Sequence, residues 1–405
     1  MSRIEALIQE LCPDGVKHNT LGQVGKFIRG NGLQKADLRD EGVPAVHYGQ
    51  IHTVYGVYAT ETKSFTDPDI AAKLRYAHPG DLLVATTSED DDAVAKATVW
   101  LGDSDVVLSG DAYIYRHELE PKYVAYFFQS TSFQNQKRRF ISGTKVRRLS
   151  GTSLEKIRIP VPPLEVQREI VRILDNFTQL EAELEAELEA RRAQLAYHRS
   201  AALDGPDFEV QSVALGEIAE FKYGFTDKAA DTGTHRFLRI TDINSQGKLS
   251  VNGAKFVSPG DGASEYVVRP GDLLMARTGA TYGKTMLVGS DGPAVYASFL
   301  IRIRFKESQM LPEFYWHFAQ SAAYWYQANA LVSTAGQPQF NANALKRVRV
   351  PIPKLEEQAS IVHTLDRLDA LVNDISIGLP AELAARRKQY VHYRDRLLSF
   401  KELTA

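Results

Sequence analysis

The 405-residue sequence holds one cysteine, Cys12, and this scarcity excludes a disulfide framework and a zinc site built on cysteine thiolates. Its ten histidines show no metal-ligand spacing such as His-Glu-x-x-His. No motif combines a nucleophile, a base and an orienting group, as a catalytic site requires. We therefore expect no metal, no cofactor and no catalytic centre, so the chain should not be an enzyme by itself.

Long apolar runs and a strong charge of one sign are also missing. No run approaches the roughly 20 apolar residues that a membrane-spanning helix needs. Residues 1–11 mix charged and apolar side chains at helical spacing and lack the apolar core of a signal peptide. The formal net charge of −2 gives no global signature of a nucleic-acid binder, although a locally basic face stays compatible with one. These absences predict a cytoplasmic protein with no membrane partner.

One segment, Gly279–Thr285, superficially matches a phosphate-binding loop. The motif needs four residues between its glycines and a helix after it, but here there are three, and Met286–Val288 has the composition of a strand. We therefore reject an ATPase function. Neither an Asn-Pro-Pro-Tyr-type methyltransferase motif nor a glycine-rich loop for a methyl donor is found either.

The sequence contains a long internal repeat. The run Pro-Gly-Asp-Leu-Leu at Pro79–Leu83 returns at Pro270–Leu274, an offset of 191 residues. The segment Leu154–Gln167 returns with the same offset as Leu345–Gln358. Because this period far exceeds the 20–50 residues of solenoid repeats, it indicates a duplicated domain. Two similar domains on one chain predict two similar partner sites.

Each copy combines a globular part with a long helix. Short β-branched runs between turn signals predict strands, and proline at a first helical position predicts short helices at Pro121 and Pro312. Apolar residues from Ile170 to Leu184 recur at spacings of three and four, which is typical of a coiled-coil seam. The second long helix should cover this seam, with an interruption near Gly378–Pro380.

The predicted fold class is mixed α/β (α+β), with two repeated globular domains, each followed by a long helix, and the two helices paired as an antiparallel coiled coil. The expected boundaries are 1–160 and 207–351 for the globular domains and 161–206 and 352–405 for the helices. The helices act either as a spacer or as a coiled coil of purely structural purpose. As a spacer, a helix over Leu164–Ala202 would span roughly 58 Å.

Two diverged α/β domains, each followed by a helix that begins Pro-x-Pro-x-Leu-Glu-x-Gln, resemble the specificity subunit of type I restriction-modification systems. The segments that carry the resemblance are Leu11–Gly15, the two Pro-Gly-Asp-Leu-Leu runs, Ile159–Gln167 and Val350–Gln358. The resemblance implies target-recognition domains that each read one half of a bipartite, asymmetric DNA site. It also implies that the helices set the spacing and dock two modification (adenine methyltransferase) subunits, which restriction (ATP-dependent translocase/endonuclease) subunits then join.

In the first copy, the strongest candidate for contact with double-stranded DNA is a basic segment. Residues 137–150 carry six cations and no acid, which suits phosphate neutralisation and guanine recognition. The candidate DNA-binding residues are Lys137, Arg138, Arg139, Thr144, Lys145, Arg147 and Arg148. The alternative is an exposed helix end with a solvated loop. For the acidic run Glu89–Asp92 we favour a solvated loop over cytosine recognition or packing against the basic segment.

In the second copy, the corresponding segments are polar and amide-rich. Side-chain amides of glutamine and asparagine suit adenine edges. The candidate DNA-binding residues are Arg277, Thr278, Tyr282, Lys284, Thr334, Gln337, Gln339 and Asn341. The alternative is a glycine- and proline-rich loop with a structural role only.

Two other functions remain open on the sequence alone. The chain is either a duplicated protein-binding scaffold on a coiled-coil stalk or a DNA-binding repressor with internal pseudo-twofold symmetry. Salt-sensitive DNA binding without any partner would favour the repressor. Indifference to DNA would favour the scaffold.

Overall fold

The computed structural model describes residues 3–204, 211–250, 252–289, 292–306, 309–333, 336–374 and 378–403. Its residues form two compact units. Unit 1 comprises Met1–Glu183 and Ala384–Ala405, and unit 2 comprises Leu184–Leu383.

The first repeat contains short elements of both kinds. Its strands are β1 (Lys17–Thr20), β2 (Gly25–Arg29), β3 (Val43–Val46), β4 (Tyr58–Ala59), β5 (Ser64–Thr66), β6 (Tyr76–Ala77), β7 (Leu82–Ala85), β8 (Thr87–Ser88), β9 (Lys96–Trp100), β10 (Val106–Leu108), β11 (Ala112–His117), β12 (Arg147–Arg148) and β13 (Arg158–Val161). Its helices are α1 (Arg3–Leu11), α2 (Leu21–Val24), α3 (Tyr48–Thr53), α4 (Pro68–Ala71), α5 (Pro121–Gln129), α6 (Thr131–Lys137) and α7 (Gly151–Leu154), followed by the long helix α8 (Leu164–Asp204).

The second repeat follows the same plan. Its strands are β14 (Ser212–Ala214), β15 (Ala219–Tyr223), β16 (His235–Leu238), β17 (Phe256–Val257), β18 (Leu273–Ala276), β19 (Thr285–Leu287), β20 (Ala294–Tyr296), β21 (Leu300–Phe305) and β22 (Arg349–Pro351). Its helices are α9 (Leu215–Ile218), α10 (Pro312–Phe318), α11 (Ala322–Leu331), α12 (Ala342–Leu345), α13 (Leu355–Asn373) and α14 (Gly378–Leu397).

The sheets of the two repeats have related strand orders. Unit 1 contains a sheet ordered β2-β11-β7-β9-β4 and a second sheet ordered β5-β3-β10-β6. Unit 2 contains the corresponding sheets β15-β21-β18-β19 and β17-β16-β20. The pairs β4–β9, β3–β10 and β16–β20 are parallel, and the other pairs within these sheets are antiparallel. The predicted mixed α/β fold with a duplicated domain is confirmed.

The repeated Leu-Leu run lies at the centre of each repeat, where both sheet faces are covered. Side chains of a strand alternate between faces. Leu82 and Val84 of β7 therefore pack in the cluster that includes α5, whereas Leu83 and Ala85 pack in the cluster formed with β10. All four residues are buried, and β18 repeats the arrangement in unit 2. A strand that is covered on both faces needs apolar residues at every position, which explains why the Leu-Leu run occurs in both copies.

The aspartate of the Pro-Gly-Asp motif closes the turn before that strand. Asp81 Oδ2 accepts the backbone N–H of His78 at 2.8 Å and pairs with Arg116 Nη2 at 2.7 Å. In unit 2, Asp272 pairs in the same way with Arg304 and accepts the N–H of residue 269 at 2.8 Å. The motif's glycines have φ values of 95° and 87°, in the left-handed region that glycine tolerates. The motif is therefore structural.

The long helices pair as the sequence predicts. Helix α8 has 41 residues and so is about 61 Å long. Within unit 1, the ring of Phe177 stacks on Tyr393 with centroids 5.4 Å apart, and Glu181 pairs with Arg387 at 2.6 Å. The partner number falls as the number in α8 rises, so the pairing is antiparallel. The second helix is divided into α13 and α14, which confirms the predicted interruption.

We expect Gly283→Ala to destabilise unit 2 by about 1–2 kcal/mol, because an alanine in the left-handed region is strained. Gly283 has φ of 77°, and a Cβ there would lie 3.1 Å from Trp325 Cζ3. Gly289→Ala is the matched control, since a Cβ at that position meets nothing within 4 Å. Urea unfolding of both variants measures the difference. Equal stability of the two variants would contradict the assigned backbone conformation.

Candidate nucleic-acid interface

The two candidate segments of unit 1 lie side by side, although 40 residues or more separate them in sequence. We call Thr86–Lys96 the acidic loop and Lys137–Ser150 the basic loop. Strand β8 of the acidic loop pairs antiparallel with β12 of the basic loop, with Arg147 opposite Ser88. The N–H of Leu149 also donates to the carbonyl of Thr86 at 3.1 Å. The two loops therefore form one surface.

Unit 2 joins its candidate segments in the same manner. We call Arg277–Lys284 the glycine loop and Ser333–Asn341 the amide loop. Thr278 and Gln339 form an antiparallel bridge, and the N–H of Phe340 donates to the carbonyl of Arg277 at 2.8 Å. Each repeat therefore builds a loop pair at an equivalent place after its central strand.

Free cations project from the basic loop. Arg139, Lys145 and Arg148 are exposed, and no acidic partner is found for them among the described residues. Arg138 pairs with Asp92 at 3.2 Å, and Arg147 pairs with Asp91 at 2.7 Å. Thr144 is exposed at the tip of the loop. Exposed cations on a well-anchored loop suit contact with phosphate groups.

The four residues of the acidic run Glu89–Asp92 are exposed, as a solvated loop requires, but the run also pairs with the basic loop. Two of its carboxylates form ion pairs with arginines of the basic loop, because the β8–β12 pairing brings opposite charges together. The six cations of the basic loop against these four acids leave a local net charge of +2. The acidic run therefore orients part of the basic loop and reduces, without cancelling, its positive charge.

Lys137 does not belong to the exposed surface. Its side chain is fully buried, and Nζ donates to the carbonyls of Asp92 and Val94, both at 2.7 Å. Burial lowers the pKa of Lys137 to about 8. At the corresponding turn of unit 2, the hydroxyl of Tyr324 donates to the carbonyl of Gly283 at 2.8 Å. Lys137 thus anchors the acidic loop and has no surface to offer a phosphate, which corrects its assignment as a DNA contact.

Because the pKa of Lys137 is depressed on folding, the unfolded chain binds more protons than the folded chain between about pH 8 and the ordinary lysine pKa near 10.4. The free energy of unfolding of the natural protein, relative to Lys137→Met, should therefore rise by about 2 kcal/mol as the pH increases from 7.5 to 10. Urea unfolding at both pH values measures this difference. A constant difference would contradict the burial of an ionisable amine at this position.

In unit 2, Arg277 is held between two aromatic rings. Its guanidinium carbon lies 5.2 Å from the ring centroid of Tyr223 and 5.4 Å from that of Phe299, and Nε donates to the carbonyl of Ser298 at 3.1 Å. Phe299 is 51% exposed and Tyr223 is 43% exposed. Aromatic rings beside a guanidinium form cation–π contacts that hold it in one orientation. The sequence does not single out Phe299, because an aromatic residue directly before a strand has no distinctive spacing.

The remaining candidates of unit 2 divide into exposed and structural residues. Gln337 and Gln339 are exposed on the amide loop, and Lys284 is half-buried. Thr278 is buried, and the hydroxyl of Tyr282 donates to Asn329 at 2.9 Å.

The last two candidates of unit 2 are Asn341 and Thr334. Asn341 caps α12, because its Oδ1 accepts the N–H of Ala344 at 3.0 Å, just as Ser150 caps α7 in unit 1. This cap gives Asn341 a structural role. Thr334 lies outside the described residues.

The glycine loop contains a short turn at Gly279–Thr281 and continues into strand β19. A strand, not a helix, therefore follows the loop, as expected when a phosphate-binding loop was rejected. Over the described ranges, no cluster of three or more histidine, cysteine, aspartate or glutamate side chains is placed to hold a metal ion. In the same part of the chain, no helix is long and apolar enough to cross a bilayer.

Comparison with known proteins identifies the family. The model of the type I restriction modification DNA specificity domain matches residues 13–190 and, a second time, residues 208–385. The chain is 30% identical over 308 residues to the specificity subunit of the type I restriction enzyme EcoR124I/EcoR124II of Escherichia coli, covering 69% of this chain and 70% of that one. It is also 30% identical over 271 residues to the putative type I specificity subunit S.HindORF215P of Haemophilus influenzae, covering 64% of this chain and 68% of that protein.

A solved structure of a type I restriction-modification system, described in connection with complex assembly and conformational transition, shares the fold. Its TM-score is 0.66 at 18% identity, with 95% of this chain and 98% of that chain covered. The family match confirms the predicted recognition role without catalysis of its own. The chain belongs to the type I restriction-modification specificity subunits and carries two copies of their DNA specificity domain.

Proposed function

We propose that this chain recognises a bipartite, asymmetric DNA sequence, with each repeat reading one half. The observation that carries the proposal is the loop pair, which occurs at equivalent places in both repeats but with different chemistry. Unit 1 presents exposed cations there, whereas unit 2 presents amides and an arginine between aromatic rings. Equivalent placement with unlike side chains is what two different half-sites require.

The side chains divide into two roles. Arg139, Lys145 and Arg148 would contact phosphates and fix the position of the domain on the duplex. In unit 2, Gln337 and Gln339 would read adenine edges. Arg277 is preoriented by Tyr223 and Phe299 and suits a guanine edge in the same groove.

The globular segments 1–160 and 207–351 would act as target-recognition domains, and the helical segments 161–206 and 352–405 as spacers that hold them apart. An α8 of about 61 Å exceeds the roughly 34–36 Å of one DNA turn, so it is long enough for two half-sites on the same face. The helices would also dock two modification subunits that methylate adenine, and restriction subunits would join this assembly. Such a complex would work in the cytoplasm on double-stranded DNA.

Replacing Gln337 and Gln339 together with alanine should relax one half of the methylated motif and leave the other half unchanged. A good bidentate contact is worth about 1–3 kcal/mol of discrimination between bases, so the preferred base should lose roughly tenfold or more of its preference. Motif mapping by methylation sequencing of cells that contain the modification subunit measures this. Gln9→Ala, on the exposed face of α1 and outside both the loops and the spacer helices, is the matched control. Equal relaxation of both halves would contradict the assignment of one half-site to each repeat.

A further inference from the structure

The two repeats differ at one edge of the central sheet. In unit 1, strand β4 covers β9 in parallel: the N–H of Val99 donates to the carbonyl of Val57 at 2.9 Å, and that of Leu101 to Ala59 at 2.8 Å. The ring of Tyr58 lies 4.0 Å from Lys122 Nζ, which also pairs with Asp175 at 2.8 Å. The edge of this sheet is thus covered by a strand of the same chain.

In unit 2 the described residues leave the equivalent edge open at Leu287, whereas the carbonyl of Thr285 accepts Gln320 Nε2 at 3.4 Å. Strand β19 ends the sheet, and within the described residues no strand lies beyond it. The N–H of Val288 donates to the carbonyl of Asp272 at 2.8 Å. Because hydrogen bonds alternate along an antiparallel pair, the N–H and carbonyl of Leu287, one residue earlier, point away from β18. The segment that would correspond to β4 folds into a hairpin instead, with Ile243 bridged to Leu249.

A cavity of about 680 Å³ occupies the place beside this open edge. Apolar side chains, among them Met286, Leu249 and Trp316, form much of its wall. Among the described residues, the charged side chains that line it are Glu313, Asp366, Asp369, Asp374, Arg236 and Lys248. Its wall is therefore largely apolar, with carboxylates in excess among the charged side chains that line it.

One charge of the corresponding pair is reversed relative to unit 1. At the offset of 191 residues, Glu313 occupies the position of Lys122, and Asp366 occupies that of Asp175. Lys248 pairs with Asp369 at 2.5 Å, and Arg199 lies 3.7 Å from the same carboxylate. Among the described residues, the pair found for Asp366 is with the imidazole Nε2 of His317, at 2.9 Å. Unit 1 supplies its own cation, Lys122, whereas among the described residues no lysine or arginine forms an ion pair with Glu313 or Asp366. An incoming segment would have to bring such a cation.

We propose that this cavity docks an extended segment of a partner protein, which adds to β19 as a further strand. The segment places an aromatic or apolar side chain against Trp316 and a lysine or arginine beside Glu313 and Asp366. Main-chain hydrogen bonds to the open edge give affinity, and the cavity gives specificity, as in other cases of strand addition. This docking function goes beyond DNA recognition and does not depend on it.

The internal repeat supplies a probe. A synthetic peptide of residues 54–63 contains the strand that covers unit 1. In it, Thr60→Lys places a cation on the same face as Tyr58, because side chains two apart share a face. Thr60→Glu gives a peptide of opposite charge at the same position. We expect the Thr60→Lys peptide to bind the full-length chain at least tenfold more tightly than the Thr60→Glu peptide, in calorimetry without DNA.

Variants of the chain locate the binding. Glu313→Lys restores the charge found in unit 1 and should reverse the preference between the two peptides. Ala370→Trp fills the cavity from α13 and should weaken the Thr60→Lys peptide at least tenfold, whereas Glu356→Lys, an exposed control on the same helix, should change neither peptide. Circular dichroism checks that each variant is folded. No binding of the Thr60→Lys peptide at 1 mM, or equal binding to the natural chain and the folded Ala370→Trp variant, would overturn the proposal.

Discussion

Replacing Arg139, Lys145 and Arg148 together with alanine is expected to lower the affinity for duplex DNA about a hundredfold at 0.15 M salt. These exposed side chains have no acidic partner in the described part of the chain, so each is available to a phosphate. A charge-assisted contact of this kind contributes roughly 1 kcal/mol or somewhat more, and three together give roughly two orders of magnitude. Fluorescence anisotropy with a labelled duplex measures the change.

The salt dependence separates this mechanism from a general loss of structure. Each phosphate contact contributes about −0.9 to the slope of log K against log salt, so three lost contacts should make the slope shallower by roughly 2.7. A control with the same charge change replaces three exposed lysines elsewhere in unit 1 with alanine: Lys26, Lys63 and Lys73. An unchanged slope in the Arg139, Lys145 and Arg148 variant would remove the basic loop from the interface.

Gln358→Ala is expected to destabilise unit 2 by about 3–4 kcal/mol. The side chain is fully buried at the start of α13. Its Oε1 accepts the N–H of Leu311 at 2.8 Å, and its Nε2 donates to the carbonyls of Pro353 and Gln309, both at 2.8 Å. Truncation leaves three backbone groups without their partner, and each costs about 1 kcal/mol or more when buried.

The first repeat offers an independent test of the same prediction. Gln167 accepts the N–H of Glu120 at 2.9 Å and donates to Pro162 at 2.7 Å, so Gln167→Ala should destabilise unit 1 in a similar way. Gln389→Ala, on the exposed face of α14, should stay within about 0.5 kcal/mol of the natural protein. Urea unfolding of the three variants measures this. Similar losses for exposed and buried glutamines would contradict a structural role for the motif.

Much of the fold follows from the sequence because the duplication shows which residues both copies need. The aspartate of Pro-Gly-Asp, the Leu-Leu strand and the glutamine of Leu-Glu-x-Gln recur since each closes a turn, fills a core or fixes a helix start. Proline at Pro121 and Pro312 correctly marked the starts of α5 and α10. Local chemistry was sufficient for these elements.

The site was harder to predict because its residues depend on contacts between distant segments. Lysine is usually a surface residue, but Lys137 is buried because the acidic loop folds over it. Asn341 has the chemistry of a base reader, but it caps a helix. Phe299 was not predicted, because its exposure beside Arg277 depends on how β21 and the glycine loop meet. The sequence therefore predicted where the loops lie, but it did not predict which of their side chains are exposed and which are structural.

Single-molecule methylation sequencing tests the central claim most directly. DNA would be compared from cells that express this chain with the proposed modification subunit, an adenine methyltransferase, and from cells that express the methyltransferase alone. Our account predicts adenine methylation at one split, non-palindromic motif, and only when this chain is present. Methylation by a competent, expressed methyltransferase that is the same with and without this chain would contradict it.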